Sequence, residues 1–144
     1  MTVHAHVSSL EEVIIMQIII PMSGVGQRFI NAGYKDPKPL IKVDGKKIIE
    51  HVTNLFPGEA DITYICNSEH IKNTDMVKTL RSISPTCKIV EIEPHKKGPV
   101  YSVSKAFDLI DDDGEVIVSY CDFSTYWNYD EFLDFTRSRN SDGC

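Results

Sequence analysis

Apolar positions along the chain follow two rhythms. Val13–Pro21, Asp61–Cys66, Cys87–Ile92 and Glu115–Tyr120 are short runs rich in β-branched residues. Runs of that length and composition fit strands buried on both faces. Between them, Lys46–Phe56, Glu69–Ile83 and Val100–Ile110 show helical spacing. Ile48, Ile49, Val52, Leu55 and Phe56 form one apolar face, and Met76, Val77, Leu80 and Ile83 form another. A last helix is predicted over Tyr129–Arg137, with Ser68 and Asn128 as N-caps of their helices. Regular strand–helix alternation predicts an α/β protein with a mostly parallel, Rossmann-like sheet between two helix layers. Ligands of such sheets bind beyond the carboxyl ends of the strands, near a topological switch. Residues just after each strand are therefore the ones to read for chemistry.

Composition sharpens this picture. The chain has 144 residues, enough for one domain with a modest core, and its 42% hydrophobic and 25% charged content excludes a disordered chain. The net charge of -6 argues against general nucleic-acid binding but leaves room for a small anion held by local cations and backbone amides. Cys66, Cys87, Cys121 and Cys144 form no C-x-x-C pair and no zinc spacing with histidine, which fits a reducing, cytoplasmic setting. The longest apolar run, Val13–Met22, is too short to cross a membrane and follows Glu11-Glu12, so neither membrane insertion nor a signal peptide is expected. Residues 1–15 read as an N-terminal extension, with Met16 as an internal start and His4 and His6 in a solvated tail. At the other end, Asp142-Gly143 is a turn signal that ordinarily leads into another strand. Residues 16–144 are thus expected to be an incomplete domain, truncated at the C-terminus. An exposed sheet edge would then favour homo-oligomers.

The loop after the first strand is the most informative segment. Pro21-Met22-Ser23-Gly24-Val25-Gly26-Gln27-Arg28-Phe29 carries two glycines that let backbone N–H groups approach a phosphate, and a forked cation that suits its oxygens. Pro37 and Pro39 then stiffen the chain around Lys38. The string is not a Walker loop, which needs G-x-x-x-x-G-K-[ST]. It is a poor dinucleotide fingerprint, because Phe29 stands at the third glycine position and Gly33 arrives too late. Gly-x-Gly alone would be an ordinary connector.

The full string is more specific. Gly24-x-Gly26-x-Arg28-Phe29, Pro37-Lys38-Pro39-Leu40 and Val43-Asp44-Gly45-Lys46 followed by a helix resembles the NTP-transferase family of sugar-1-phosphate nucleotidyltransferases and cytidylyltransferases. The match is strong over residues 16–55 and looser to about residue 135. The resemblance implies a GT-A-like fold in which Pro21, Met22, Ser23, Gly24 and Gly26 wrap the nucleotide. Arg28 would hold the β- and γ-phosphates, and Lys38 the α-phosphate or the acceptor phosphate.

Asp122, just beyond the fourth strand, matches the metal-binding Asp of that family, and a carboxylate is a suitable Mg²⁺ ligand. The resemblance implies that the metal is shared with a second Asp much later in the chain, which residues 1–144 do not supply. Asp142 sits in a predicted turn and is a poor substitute, and Asp111-Asp112-Asp113 reads as a solvated turn on the opposite edge. After the third strand, Gly98-Pro99-Val100-Tyr101-Ser102 opens a helix where relatives contact base and ribose. Gly98 and Ser102 are assigned to the nucleotide on that ground. The usual preceding Gln is absent, which leaves the base open. Lys96 and Lys97 read equally as phosphate contacts or a solvated pair. Asn67 borders the base only weakly, and His51 and His70 read as structural. The implied reaction moves a nucleoside monophosphate from an NTP, CTP for preference, with Mg²⁺, onto a phosphorylated acceptor such as a sugar phosphate. The pattern looks most like bacterial capsule and surface-polysaccharide enzymes. A GT-A glycosyltransferase and a non-catalytic nucleotide-binding domain are the alternatives.

Overall fold

The computed structural model describes residues 14–140 and 143–144. Most of the 1–15 extension, the His4–His6 pair and Asp142 lie outside the described residues. The central sheet is four-stranded and parallel, in the order β5-β4-β1-β6. Its strands are β1 (Met16–Met22), β4 (Asp61–Asn67), β5 (Lys88–Ile92) and β6 (Glu115–Val118). All four predicted strands are present. Every residue of β1 is buried, as a central strand covered on both faces requires.

Alternate β1 side chains enter different cores. Met16, Ile18, Ile20 and Met22 join Ile62, Tyr64 and Cys66 of β4 under α2 (Ile48–Thr53), α4 (Met76–Ile83) and α6 (Tyr129–Ser138). Ile19, Ile65 and Ile92 form a smaller core with Ala106, next to α5 (Pro99–Ser104). Both helix layers exist, but the second is thin. Gln17 points into that thin side, where its side chain accepts from Asp111 N at 2.7 Å and donates to Asp111 O at 3.1 Å. The triple-Asp segment is therefore a turn at the amino end of the sheet.

Several elements differ from the sequence reading. The helix expected from Lys46 begins only at Ile48, because Lys46–Lys47 (β3) pairs antiparallel with Lys42–Val43 (β2). Asp44 and Gly45 both have positive φ, 49° and 80°, which is what a tight two-residue hairpin demands. The helix expected over Glu69–Ile83 is two, α3 (Ser68–Asn73) and α4, broken where Thr74 turns extended and bonds back to His70 O. The cap of α3 is Asn67, whose Oδ1 accepts from Glu69 N, and not Ser68, which lies inside the helix. Asn128 does cap α6, accepting from Glu131 N.

A short helix, α1 (Gln27–Asn31), follows the glycine loop, where the sequence predicts a long loop. Gly33 ends it: Gly33 N bonds to Ile30 O and Tyr34 N to Phe29 O, with Gly33 at φ 85°. Phe29 and Tyr34 then pack edge to face at 5.6 Å, the apolar contact that accompanies such a stop. The late glycine thus terminates a helix and contacts no phosphate loop.

All four cysteines are free thiols, two of them buried and one half-buried. Burial pushes the Cys66 thiol up to about 12 and that of Cys121 up to about 11, and Cys87 is also raised by burial. Only Cys144 is exposed. Timed labelling with a thiol-disulfide reagent at pH 8 is therefore expected to modify Cys144 at once and the other three only on unfolding. Rapid labelling of Cys66 would show that the central sheet opens.

Candidate nucleotide site

The chain runs from β1 to β4 to β5 in one direction, then crosses back to place β6 on the other side of β1. The switch point therefore lies between β1 and β6. Ile19 pairs with Val118, and Ser119 N continues the ladder to Ile19 O at 3.0 Å. That register brings Asp122 level with the loop that leaves β1. On the other side Met22 pairs with Cys66, so Ser23 and Asn67 emerge together. Three strand ends thus deliver their loops to one crevice, as expected for this topology.

Lys38 and Asp122, 84 residues apart, meet there as an ion pair with both side chains about one-third exposed. Lys38 stands in a short 3-10 turn, Lys38–Leu40, and its Nζ lies 5.0 Å from the Phe29 ring centroid. Pro39 and Leu40 are buried beneath it, so the prolines fix a cation on a rigid base. Arg28 is exposed on α1 and makes no ion pair among the described residues. It is free to meet an anion.

The glycine loop is held at one end. Ser23 is buried; its carbonyl accepts from Asn67 Nδ2 at 3.2 Å, and its Oγ lies 2.8 Å from Ser102 Oγ. Gly24 is exposed and Gly26 has φ +69°, with no atom within 4 Å of where a Cβ would stand at either. The Met22 side chain lies in the larger core, and its backbone pairs with Cys66 at the end of β1. Pro21 lies against Pro99, Val100, Val103 and Phe107 along a small apolar cavity of about 320 Å³. Gly98, at φ 86°, turns the chain into α5 with Pro99 as its first residue.

Two contributors were weak or unmarked in the sequence. Asn67 caps α3 and anchors Ser23, a double role signalled only by an Asn at a strand end. His95 bonds to both Ser23 and Ser102, at 3.3 Å and 3.0 Å, and nothing in its local string marks it. Lys97 lies over the Tyr101 ring at 4.4 Å, whereas Lys96 is simply exposed. His51 bonds to Val43 O at 2.8 Å, tying α2 to the hairpin, and burial lowers the affinity of His70 for a proton.

For the implied metal, Asp122 is the one assigned carboxylate in the crevice. No group of three or more His, Cys, Asp or Glu gathers around a point among the described residues. Mg²⁺ commonly takes one or two carboxylates and completes its shell with phosphate oxygens and water. Asp122 fits a metal that arrives with the nucleotide.

A parallel sheet with Lys38 and Asp122 paired beyond its switch point has the architecture of a ligand-binding α/β domain. Residues 18–126 match the model of the MobA-like NTP transferase domain, and the chain belongs to that family. Solved structures agree in fold. A nucleoside-diphosphate-sugar pyrophosphorylase from Vibrio cholerae RC9 is 22% identical with TM-score 0.61, covering 81% of this chain and 53% of that one. A Bacillus anthracis protein assigned as a glucose-1-phosphate thymidylyltransferase is 20% identical with TM-score 0.68, covering 85% and 50%. The inositol-1-phosphate CTP transferase of T. maritima is 16% identical with TM-score 0.60, covering 75% and 44%. The chain therefore spans about half the length of these structures. No curated protein matches the sequence.

Proposed function

We propose that this chain is the nucleotide-binding portion of a nucleotidyltransferase that moves a nucleoside monophosphate, CMP for preference, from an NTP to a phosphorylated acceptor such as a sugar phosphate. The observation that carries the reading is the meeting of Lys38 and Asp122, with Lys38 over the Phe29 ring of the helix that follows the glycine loop. Cation and carboxylate at one strand end suit a metal–triphosphate better than a single phosphate.

The reaction is an in-line displacement. An acceptor phosphate oxygen forms a bond to the α-phosphorus as the bond to the bridging oxygen breaks, and pyrophosphate leaves with that electron pair. The nucleophile is already anionic, so alignment and charge stabilisation dominate. Amides of the Ser23–Gly26 loop cradle the nucleotide. Arg28 neutralises the departing pyrophosphate, and Lys38 orients the α-phosphate or the incoming acceptor phosphate. Asp122 would hold Mg²⁺, which supplies Lewis-acid polarisation of the α-phosphoryl group. A cytoplasmic enzyme of bacterial capsule or surface-polysaccharide synthesis is the setting we favour. Titration calorimetry of this chain with CTP, UTP, GTP and dTTP plus Mg²⁺ tests the reading. Tight binding of one NTP, weakened at least about tenfold by Arg28→Ala, is expected. A preference for a nucleotide-sugar that ignores Arg28 would instead identify a GT-A glycosyltransferase.

Homo-oligomerisation is the second proposal. The outer edge of β6 borders an open apolar groove of about 1150 Å³, where Tyr120 and Phe123 are exposed. Such an edge pairs readily. Sedimentation velocity over a concentration series is expected to show self-association of the 144-residue chain. A strictly monomeric, highly soluble chain would refute it.

A further inference from the structure

We propose that His95 is the positioning residue of this site: it fixes the glycine loop against α5 by donating from Nε2 to the Ser23–Ser102 pair. The inference rests on the nucleotide reading for its purpose, but its geometry stands alone. His95 Nδ1 accepts from Lys97 N at 3.1 Å. A neutral imidazole that accepts at Nδ1 carries its proton on Nε2. That proton points at Ser102 Oγ, 3.0 Å away, and Ser23 Oγ, 3.3 Å away, and the two hydroxyls lie 2.8 Å apart. The Tyr101 ring packs edge to face on the imidazole at 4.6 Å and fixes its plane.

The proton position decides what the cluster can do. A histidine that activates a serine must accept the hydroxyl proton at Nε2. Here Nε2 is already a donor, so the Ser–His contact is a clamp and not a nucleophile with its base. Both hydroxyls are buried, Ser23 at 3% and Ser102 at 2% exposure, so water is a poor substitute for the imidazole. The clamp joins the loop after β1 to the loop after β5 and the first turn of α5, which lie 72 and 79 residues further along the chain. Ser23 is the last anchored residue before Gly24 and Gly26, around which space is open. Where Ser23 sits therefore sets where the loop amides point. Gln at position 95 still reaches the serines with an N–H donor, whereas Ala offers none.

The test uses the chain itself in three readouts. Side-chain ¹⁵N NMR at pH 8 is expected to show His95 as the Nε2–H tautomer; the Nδ1–H tautomer overturns the proposal. Backbone amide exchange over residues 24–28 is expected to rise at least about tenfold in His95→Ala and to return towards normal in His95→Gln, with β1 and β4 amides unchanged in both. Unchanged exchange in the Ala variant, or no recovery in Gln, overturns the clamp. Were the Ala variant to unfold, the tautomer and the Gln variant would still decide. Mg–CTP affinity is expected to weaken about tenfold in Ala and to recover in Gln. Failure of every NTP to bind the unaltered chain would defeat the nucleotide reading, while the tautomer and exchange data would still judge His95.

Discussion

Asp122→Ala is expected to lower turnover of the enzyme that carries this chain by at least an order of magnitude. The carboxylate stands four residues beyond β6, in an ion pair with Lys38, and it is the metal ligand we propose. Its partner makes a sharper test possible. Lys38 forms an ion pair with Asp122, so a metal held by Asp122, as we propose, would compete with that cation. Lys38→Met, which keeps the stem over Phe29, is expected to lower the Mg²⁺ concentration for half-maximal nucleotide binding about threefold, as an exposed ion pair of modest strength predicts. The same variant is expected to lose turnover, because the cation that orients the phosphate is gone. Metal titrations followed by calorimetry, alongside steady-state rates, separate the two effects. Turnover near normal in Asp122→Ala removes that residue from the mechanism. An unchanged metal requirement in Lys38→Met means that the ion pair does not share the metal's carboxylate.

The largest stability effect is expected at the centre of the sheet. Ile20 is fully buried in β1, in the larger core among Ile18, Ile62 and Tyr64. Ile20→Ala removes buried methylene groups and leaves a cavity between sheet and helices that a strand paired on both sides cannot collapse. The expected loss is about 2–5 kcal/mol. That is a large share of the ~5–15 kcal/mol that holds a domain of this size folded. Urea unfolding followed by circular dichroism should show the midpoint fall with its slope unchanged. Val100→Ala, at 79% exposure, should shift stability by less than about 0.5 kcal/mol. A loss below about 1 kcal/mol at Ile20 would mean that the core repacks more freely than close packing allows.

The elements divide according to how local their causes are. The strands were legible because a strand covered on both faces must be apolar at nearly every position, and β1 and β4 are. Asn128 was legible as a cap because its side chain bonds three residues away. The Asp44-Gly45 hairpin carried its signal too, yet the helical spacing that follows masked it. The two-residue strands β2 and β3 are too short to show a period. The break between α3 and α4 was hidden because apolar spacing continues through it, while Thr74 turns the backbone with a local bond to His70. Gly33 comes too late for a dinucleotide fingerprint, and its positive φ, the Tyr34 N–Phe29 O bond and the Phe29–Tyr34 contact explain it as a helix stop.

The candidate site divides in the same way. The candidate chemistry could be read from the sequence alone, because the glycines, the proline-flanked Lys38, Arg28 and the Asp beyond the fourth strand each stand in a local string. Only the tertiary structure decided which of these groups meet. Lys38 reaches Asp122 because β6 returns to pair with β1. Ser23 reaches His95 and Ser102 because the loops after β1 and β5 end on the same side of the sheet. Side-chain pairing across 72 to 84 residues leaves no local period in a sequence, and strand order sets it.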